Sequence, residues 1–279
     1  MAMRQQRLGA REEVTAFFVL AYAVSWSLWL VVIALQALLP SGAAVALTLV
    51  GAFGPSVAAL AVTRRAGRRL SVREAWRSRR RGPTPVGVYA SVLIGPVAAG
   101  LVVLLVALAV NASIVTGPAV PWTALVPAFL AGLVVGGPLG EEPGWRGFAL
   151  PRLQTVVSPA SASIILGVVW ALWHLPLFLI DTSPQSRLPL GWFLLWVLAL
   201  SVLFTWAYNA SGGRVLVAVL AHAAVNFTAG LLFPWLLASQ GDTRPFTVFT
   251  VVLTLAAGTL LARDRRLSAP PPEPRTGPP

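Results

Sequence analysis

Eight long apolar segments, separated by short stretches rich in Pro, Gly and charge, are the feature that most limits what this chain can fold into. A helix needs ~20 apolar residues to cross the hydrocarbon core of a bilayer. Each segment is apolar nearly all round, unlike a surface helix of a water-soluble domain. The sequence therefore predicts an all-α polytopic transmembrane helical bundle of about eight helices, at about 14–36, 43–62, 87–110, 122–139, 159–180, 190–208, 214–236 and 245–262.

The distribution of charge predicts the orientation of this bundle. Only 11% of the residues are charged, and all 21 basic residues are Arg. With the N-terminus inside, 19 of them fall in inner segments and only Arg187 and Arg244 fall in outer ones, as the positive-inside rule requires. We therefore predict that both termini are cytoplasmic. The net charge of +12 is interpreted as a topology signal, with the Arg-rich stretch 64–81 against lipid headgroups, and not as a nucleic-acid site.

The predicted organisation is a single transmembrane helical domain over 1–267, with its catalytic core at about 120–230, followed by a disordered Pro-rich tail over 268–279. We expect no cleaved signal peptide, because the first apolar run is long enough to span. Cysteine is absent, which removes thiolate catalysis and Cys-ligated metals. The expected location is a bacterial plasma membrane, as a multi-pass integral protein, and the sequence predicts no particular oligomeric state.

Ionisable residues inside the apolar spans mark a candidate site. Glu141 and Glu142 lie in the largely apolar stretch 122–150, and the only two histidines, His174 and His222, also lie within spans. Such a group costs about 2.5–3.5 kcal/mol at a helix centre and usually faces a polar or wet interior. Enzymes concentrate Glu and His in this way, and so do proton-coupled transporters, so both classes remain open on composition alone.

The spacing of the acids predicts a division of roles between them. Glu142 and Arg146 are four residues apart and can pair on one face of a helix. Glu141, turned about 100° away, is then left without a partner on its own helix and is suited to act as a general base. The Gly136-Gly137-Pro138 run and Gly140 are expected to break this helix, which is tolerated at membrane depth where backbone lines a water-filled cavity.

The histidines lie in two further i, i+4 pairs, Trp170 with His174 and His222 with Asn226. A Glu with two His can hold a divalent metal, zinc being the first candidate, or can activate water without one. The candidate metal ligands are therefore His174, His222 and Glu141. Asn226 is predicted to orient His222 or to donate a hydrogen bond to a developing oxyanion.

These residues resemble the three motifs of the CPBP family, the CAAX-protease and bacteriocin-processing intramembrane peptidases. The family pattern is E-E-x-x-x-R, F-x-x-x-H and H-x-x-x-N/D on separate transmembrane helices. Here the motifs read Glu141-Glu142-Pro-Gly-Trp-Arg146, Trp170-Ala-Leu-Trp-His174 and His222-Ala-Ala-Val-Asn226. The resemblance covers about residues 120–230. Trp170 stands where the family has Phe, and its larger ring is expected to line and narrow the substrate pocket.

The resemblance implies hydrolysis of peptide bonds in membrane-associated peptides or proteins by water activated at Glu141. It implies that Glu142 and Arg146 support the site, and that His174 and His222 are metal ligands or stabilise an oxyanion. A metalloprotease and a metal-free glutamate mechanism both fit the motifs. The alternatives are a proton-coupled transporter and a non-catalytic protein for membrane-peptide binding or immunity. The expected partners are a membrane substrate and the lipid bilayer.

Overall fold

Helices are the only regular secondary structure in the part of the chain that the computed structural model describes, residues 9–66, 82–109, 121–135, 137–236 and 243–268. The all-α prediction is confirmed. Residues 67–81 of the Arg-rich stretch and the predicted tail after Ser268 lie outside the described residues. The α-helices are α1 (Ala10–Leu35), α2 (Ser41–Gly51), α3 (Gly54–Arg65), α4 (Val86–Ala109), α5 (Trp122–Val135), α6 (Pro138–Gly144), α7 (Leu150–Leu153), α8 (Pro159–Trp173), α9 (Leu190–Ala210), α10 (Val215–Leu236), α11 (Arg244–Arg263) and α12 (Arg265–Ser268).

Most of the predicted spans are recovered as helices long and apolar enough to cross a membrane. In the described chain six segments meet that test: Ala10–Leu35, Ser41–Arg65, Val86–Ala109, Pro159–Leu179, Leu190–Ala210 and Arg244–Arg263. The predicted span 122–139 is a bent pair, α5 with Pro138–Leu153 at 47°, and would make a seventh crossing. The predicted span 214–236 corresponds to α10, whose apolar part Val215–Gly230 is shorter. The chain is a multi-pass integral membrane protein; the count of eight crossings and the cytoplasmic termini stay predictions.

The second predicted span, 43–62, is interrupted after Gly51, where α2 ends and a turn leads into α3. Pro55 has no backbone N–H, so it cannot donate to the Gly51 carbonyl one turn earlier. The Ser25 hydroxyl of α1 donates to that carbonyl instead, at 2.8 Å. A helix break inside a membrane is tolerated when the freed backbone groups find such partners.

Glycines let α6 approach this interruption at backbone contact. Gly137 caps the helix in the left-handed conformation, with φ 94°, and Pro138 follows at the first helical position. A Cβ on Gly140 would lie 2.8 Å from the Ala52 carbonyl oxygen, and one on Gly144 would strike the backbone of Pro55. Gly140 and Gly144 are four residues apart, the spacing of close-packed transmembrane helix pairs. The α2–α3 turn therefore holds α6 in place.

The α6 helix continues into a π-helix, Trp145–Ala149, before α7. The wider turn packs Trp145 and Phe148 against Phe17 of α1, with ring centroids 5.3 and 5.1 Å away. Short π-helical segments inside α-helices occur frequently at functional sites. The predicted break at 136–140 is confirmed at Gly137, while the π-helix after it had no signal in the sequence.

Hydrogen bonds between distant segments define the two ends of the bundle. At one end Arg152 donates to Glu13 at 2.7 Å and Trp206 donates to Asp264 at 2.8 Å. Both α7 and α12 contact α8, so these pairs lie at the same end. We name it the arginine-rich end. At the opposite end the Gln36 amide, just after α1, donates to the Leu179 carbonyl oxygen at 3.2 Å.

The close approach of α6 predicts a stability effect for Gly144→Ala. Its methyl group would meet the backbone of Pro55, which cannot rotate away as a side chain can, so we expect a loss of about 1–3 kcal/mol. Thermal unfolding in detergent measures it. Gly95→Ala in α4 is the control, because a Cβ there meets nothing within 4 Å. Equal unfolding temperatures for the two variants would contradict the packing described here.

Candidate active site

The two adjacent acids on α6 point into different surroundings. Both are buried, with Glu142 fully inaccessible and Glu141 4% exposed. The left-handed Gly137 leaves room for the Glu141 carboxylate, because a Cβ there would collide with Glu141 Oε1. Any other residue at this position would be strained and would also displace that carboxylate. The two carboxylates thus point in different directions from α6, as the sequence predicted.

Glu142 connects two helices through one carboxylate oxygen. Its Oε1 accepts a hydrogen bond from Arg146 Nη1 at 3.0 Å and another from His222 Nδ1 at 2.8 Å. The Glu142–Arg146 pair predicted from the sequence is therefore confirmed, with both side chains fully buried. The contact to His222 was missed, because no spacing rule connects residues on separate helices. It orients His222 directly, which is one of the two roles predicted for Asn226.

Aromatic rings enclose the Arg146 guanidinium. Its central carbon lies 4.4 Å from the ring centroid of Trp170 and 5.1 Å from that of Phe204. A cation over an aromatic face is attracted by the ring quadrupole, more strongly when it is removed from water. Glu142 thus neutralises the buried charge of Arg146, and the faces of two aromatic rings stabilise it further.

Glu141 has a partner on another helix that the sequence did not indicate. The indole Nε1 of Trp170, in α8, donates to Glu141 Oε2 at 2.7 Å. Phe cannot make this bond, so it depends on the residue in which the chain departs from the family pattern. Trp170 is 1% exposed and does not border the cavity described below. The expectation that its ring lines and narrows that pocket is not met; it contacts the carboxylate instead.

The two histidine rings contact Trp170, and in each of them Nδ1 is the nitrogen that is hydrogen-bonded within the protein. The ring centroids of His174 and His222 lie 5.7 and 5.4 Å from that of Trp170. His174 Nδ1 is 2.8 Å from the Trp170 carbonyl oxygen, which can only accept, so this nitrogen carries the proton. Nδ1 of His222 likewise faces the Glu142 carboxylate. When either ring is neutral, Nε2 is therefore the nitrogen that carries the lone pair.

A cavity of about 1320 Å³ borders part of this cluster. Glu141, His174 and Asn226 line it, whereas Glu142, Arg146 and His222 lie behind it. Its walls are mainly apolar and include Trp29, Leu49 and Phe193. The six predicted residues thus form one region, with three bordering a space that can take a ligand and three buried beneath. The predicted oxyanion contact of Asn226 stays a prediction.

The donor set partly matches the predicted divalent metal. A metal-binding His usually donates its other ring N–H to a carboxylate or a backbone carbonyl, as both His174 and His222 do. In the described residues, however, no group of three or more His, Asp or Glu side chains is arranged to hold a metal ion. The arrangement does not bring His174, His222 and Glu141 together as one ligand set. Zinc or another divalent metal stays a prediction, and no catalytic step is derived through it.

Comparison with known proteins supports the same region. The family described as type II CAAX prenyl endopeptidase Rce1-like matches residues 121–228, which include all six predicted site residues. The chain is also 32% identical over 133 residues to a protein named CAAX prenyl protease 2 from Methanococcus maripaludis. That alignment covers 46% of this chain and 46% of the relative. The chain thus spans about half the length of the curated relative it matches.

The buried ion pair predicts a large stability effect for Arg146→Met. Removing one partner of a buried pair leaves the other charge uncompensated and costs about 3–5 kcal/mol. Thermal unfolding in detergent is the measurement. Arg266→Met is the control, because its pair with Asp264 is 55% and 20% exposed and such pairs contribute at most about 1 kcal/mol. Similar small losses in both variants would show that Glu142 does not depend on Arg146.

Proposed function

We propose that this membrane protein is an intramembrane endopeptidase, because residues 121–228 match the Rce1-like CAAX prenyl endopeptidase family. Its substrates are membrane-associated peptides or proteins. The reaction is hydrolysis of a peptide bond by water held in the cavity and deprotonated by Glu141. The observation that carries the proposal is that Glu141 borders the cavity while Trp170 orients its carboxylate.

The first step is attack of the water on the scissile carbonyl. Glu141 takes a proton from the water as the C–O bond forms, and later delivers it to the leaving amine as the C–N bond breaks. Trp170 donates to Oε2, which leaves Oε1, beside Gly137, as the oxygen available to the water. A base held in this way is already oriented before the substrate arrives, which lowers the entropic part of the barrier.

His174 assists from the wall of the cavity through Nε2. In the neutral ring this nitrogen is an acceptor, so it can hold the attacking water by accepting its second hydrogen. It can donate to an oxyanion only when the ring is protonated. The Asn226 amide also borders the cavity and is a donor in every protonation state. We therefore assign oxyanion stabilisation to Asn226 and water binding to His174.

Glu142, Arg146 and His222 support this site without reaching the substrate. Glu142 fixes His222 and Arg146 by hydrogen bonds, and Arg146 packs on the ring of Trp170. The position of Trp170, and through it the orientation of Glu141, depends on this buried group. A metal, where bound, would polarise the scissile carbonyl or the water. Elemental analysis of the purified protein and of His174→Ala tests that prediction.

Replacement of Glu141 is the main test of the proposed mechanism. We expect Glu141→Gln to lower the rate of peptide cleavage by reconstituted protein about 100- to 10,000-fold, because an amide cannot take the proton. Cleavage of a labelled apolar peptide is followed by mass spectrometry. Glu13→Gln is the matched control, since it also neutralises a buried carboxylate, one that pairs with Arg152 at the arginine-rich end.

The outcomes separate the proposal from its alternatives. Equal cleavage by wild type and Glu141→Gln, with both folded, would remove the carboxylate from the mechanism. No cleavage by wild type, together with Glu141-dependent flux of protons or solute in sealed liposomes, would indicate a transporter. A biological effect that survives Glu141→Gln together with His222→Ala would indicate a non-catalytic peptide-binding or immunity protein.

The hydrogen bond from Trp170 to Glu141 predicts a selective loss of turnover. Trp170→Phe keeps an aromatic ring at this position but removes the indole N–H. A hydrogen bond to a charged group contributes about 1.5–3 kcal/mol. We expect kcat to fall about 10- to 100-fold. KM should stay nearly unchanged, because Trp170 does not border the cavity. Steady-state kinetics with one fluorogenic peptide in both variants measures the two constants.

Trp206→Phe is the matched control for this change. It removes the same kind of bond, from an indole N–H to the Asp264 carboxylate at 2.8 Å, but at the arginine-rich end. Its kcat should equal that of the wild type. A similar fall in both Phe variants would indicate general loosening of the helices. A rise in KM alone in Trp170→Phe would show that the indole contacts substrate.

A further inference from the structure

Helix α1 donates two side-chain hydrogen bonds to the backbone of α8. The Tyr22 hydroxyl donates to the Val169 carbonyl oxygen at 2.5 Å, and Trp26 Nε1 donates to the Trp173 carbonyl oxygen at 2.9 Å. Each acceptor lies 147 residues beyond its donor, so two donors four residues apart meet two acceptors four residues apart. The donor rings also pack on each other, with centroids 5.1 Å apart. One face of α1 therefore lies in register with α8.

The two carbonyl groups belong to the peptide units that lead into Trp170 and His174. A peptide unit is planar, so a bond that holds its oxygen also restrains the N–H and Cα of the following residue. Tyr22 thereby restrains the backbone of Trp170, and Trp26 restrains that of His174. These are the two residues of this segment that reach the site, one through its bond to Glu141 and the other as part of the cavity wall.

The bond from Trp26 replaces one that the end of α8 does not make. In a continuing α-helix the Trp173 carbonyl would accept from the N–H of Leu177. That N–H donates instead to the His174 carbonyl oxygen, at 2.9 Å. The last carbonyls of a helix require other partners, above all where no bulk water reaches them. The indole of Trp26 is such a partner, placed at the residue before His174.

The bonds from α1 continue on the far side of His174. The Gln36 amide nitrogen donates to the Leu179 carbonyl oxygen at 3.2 Å, and its oxygen accepts from the Asp181 N–H at 3.1 Å. Side chains after α8 are therefore carried by a backbone that α1 also holds. All of these donors lie outside residues 121–228, the part of the chain that matches the family.

From these contacts we propose that Tyr22 and Trp26 are positioning residues of the candidate site. Tyr22 acts through Trp170 and its bond to Glu141. Trp26 acts through His174. The effect on the reaction rests on the proposed function, whereas the restraint of His174 does not. Neither α1 residue borders the cavity, so neither is expected to contact the substrate.

Removal of one donor at a time tests the proposal by kinetics. Tyr22→Phe and Trp26→Phe each keep an aromatic ring and lose the O–H or N–H. We expect each to lower kcat about tenfold, because a small displacement of a catalytic group is costly, while KM stays unchanged. The matched controls are Tyr89→Phe, in α4, which packs on α10 and α11, and Trp206→Phe, at the arginine-rich end. An equal fall of kcat in the controls, or a change in KM alone, would overturn the proposal.

The Trp170→Phe background separates the two routes. It lacks the indole bond to Glu141, so Tyr22→Phe should change kcat there by less than about twofold. Trp26→Phe should keep its full effect in that background, because His174 is still present. A full effect of Tyr22→Phe, or a lost effect of Trp26→Phe, would overturn the corresponding route. Thermal unfolding in detergent shows whether each variant is folded at the assay temperature.

A chemical measurement follows His174 without catalysis. Diethyl pyrocarbonate acylates the unprotonated nitrogen of a neutral imidazole, and mass spectrometry assigns the product because the chain has only two histidines. We expect Trp26→Phe to raise the rate of acylation at His174 about fivefold, since the loss of a hydrogen bond loosens its backbone. Trp206→Phe should leave that rate unchanged, and His222, behind the cavity, is the internal reference. An unchanged rate at His174 in Trp26→Phe would overturn its assignment.

The two measurements keep the possible failures apart. Cleavage by the wild type that Glu141→Gln abolishes supports the proposed function, and the kinetic comparisons then decide on both α1 residues. No cleavage by the wild type would count against the proposed function, and the assignment of Tyr22 would fall with it. The acylation rates alone would then decide whether Trp26 holds His174.

Discussion

The fully buried carboxylate of Glu142 is the interaction on which the candidate site depends, because its Oε1 atom joins α6, the π-helix and α10. Arg146 and His222 both donate to that oxygen. An unpaired charge at such a position would be strongly destabilising, so neither donor can be removed without affecting the other. Arg146 then packs on Trp170, and Trp170 bonds to Glu141. A chain of direct contacts therefore runs from a structural ion pair to the residue that borders the cavity.

Local sequence patterns predicted the parts of this arrangement that lie within one helix. Long apolar runs gave the helices, and i, i+4 spacing gave the Glu142–Arg146 pair, because both depend only on helix geometry. The break before Glu141 was also predicted, since Gly137 and Pro138 have strong backbone preferences. These are short-range effects that every helix of this composition would show.

Contacts between helices were not predicted, because no rule of spacing sets which side chains meet across a bundle. The sequence predicted that Asn226 orients His222 or donates to an oxyanion; the contact from His222 to Glu142, on another helix, was not predicted. Trp170 was expected to line the pocket, and its indole meets Glu141. One sequence feature did indicate a contact between helices, although no contact was predicted from it. Gly140 and Gly144 are four residues apart, the spacing found where two helices pack closely. That spacing indicates that α6 touches another backbone, though not which one.

The break between α2 and α3 holds the helix that carries the two acids in a fixed position. Pro55 frees the Gly51 carbonyl, Ser25 satisfies it, and the resulting turn receives Gly140 and Gly144 of α6. Backbone-to-backbone contact leaves little room for α6 to shift, in contrast to contact through flexible side chains. A base that must meet a water molecule within hydrogen-bond distance benefits from this support.

Two adjacent acids with different partners can do what a single acid at this site could not. Glu142 forms an ion pair with Arg146 and does not border the cavity. Its role is therefore to hold the helices together and not to act on the substrate. Glu141 has only the neutral indole of Trp170 as a side-chain hydrogen-bond partner in the described residues, and no ion pair. Its carboxylate is oriented without an opposite charge paired to it, and a carboxylate held in this way can take a proton from water. The separation of roles follows from the 100° between successive residues of a helix.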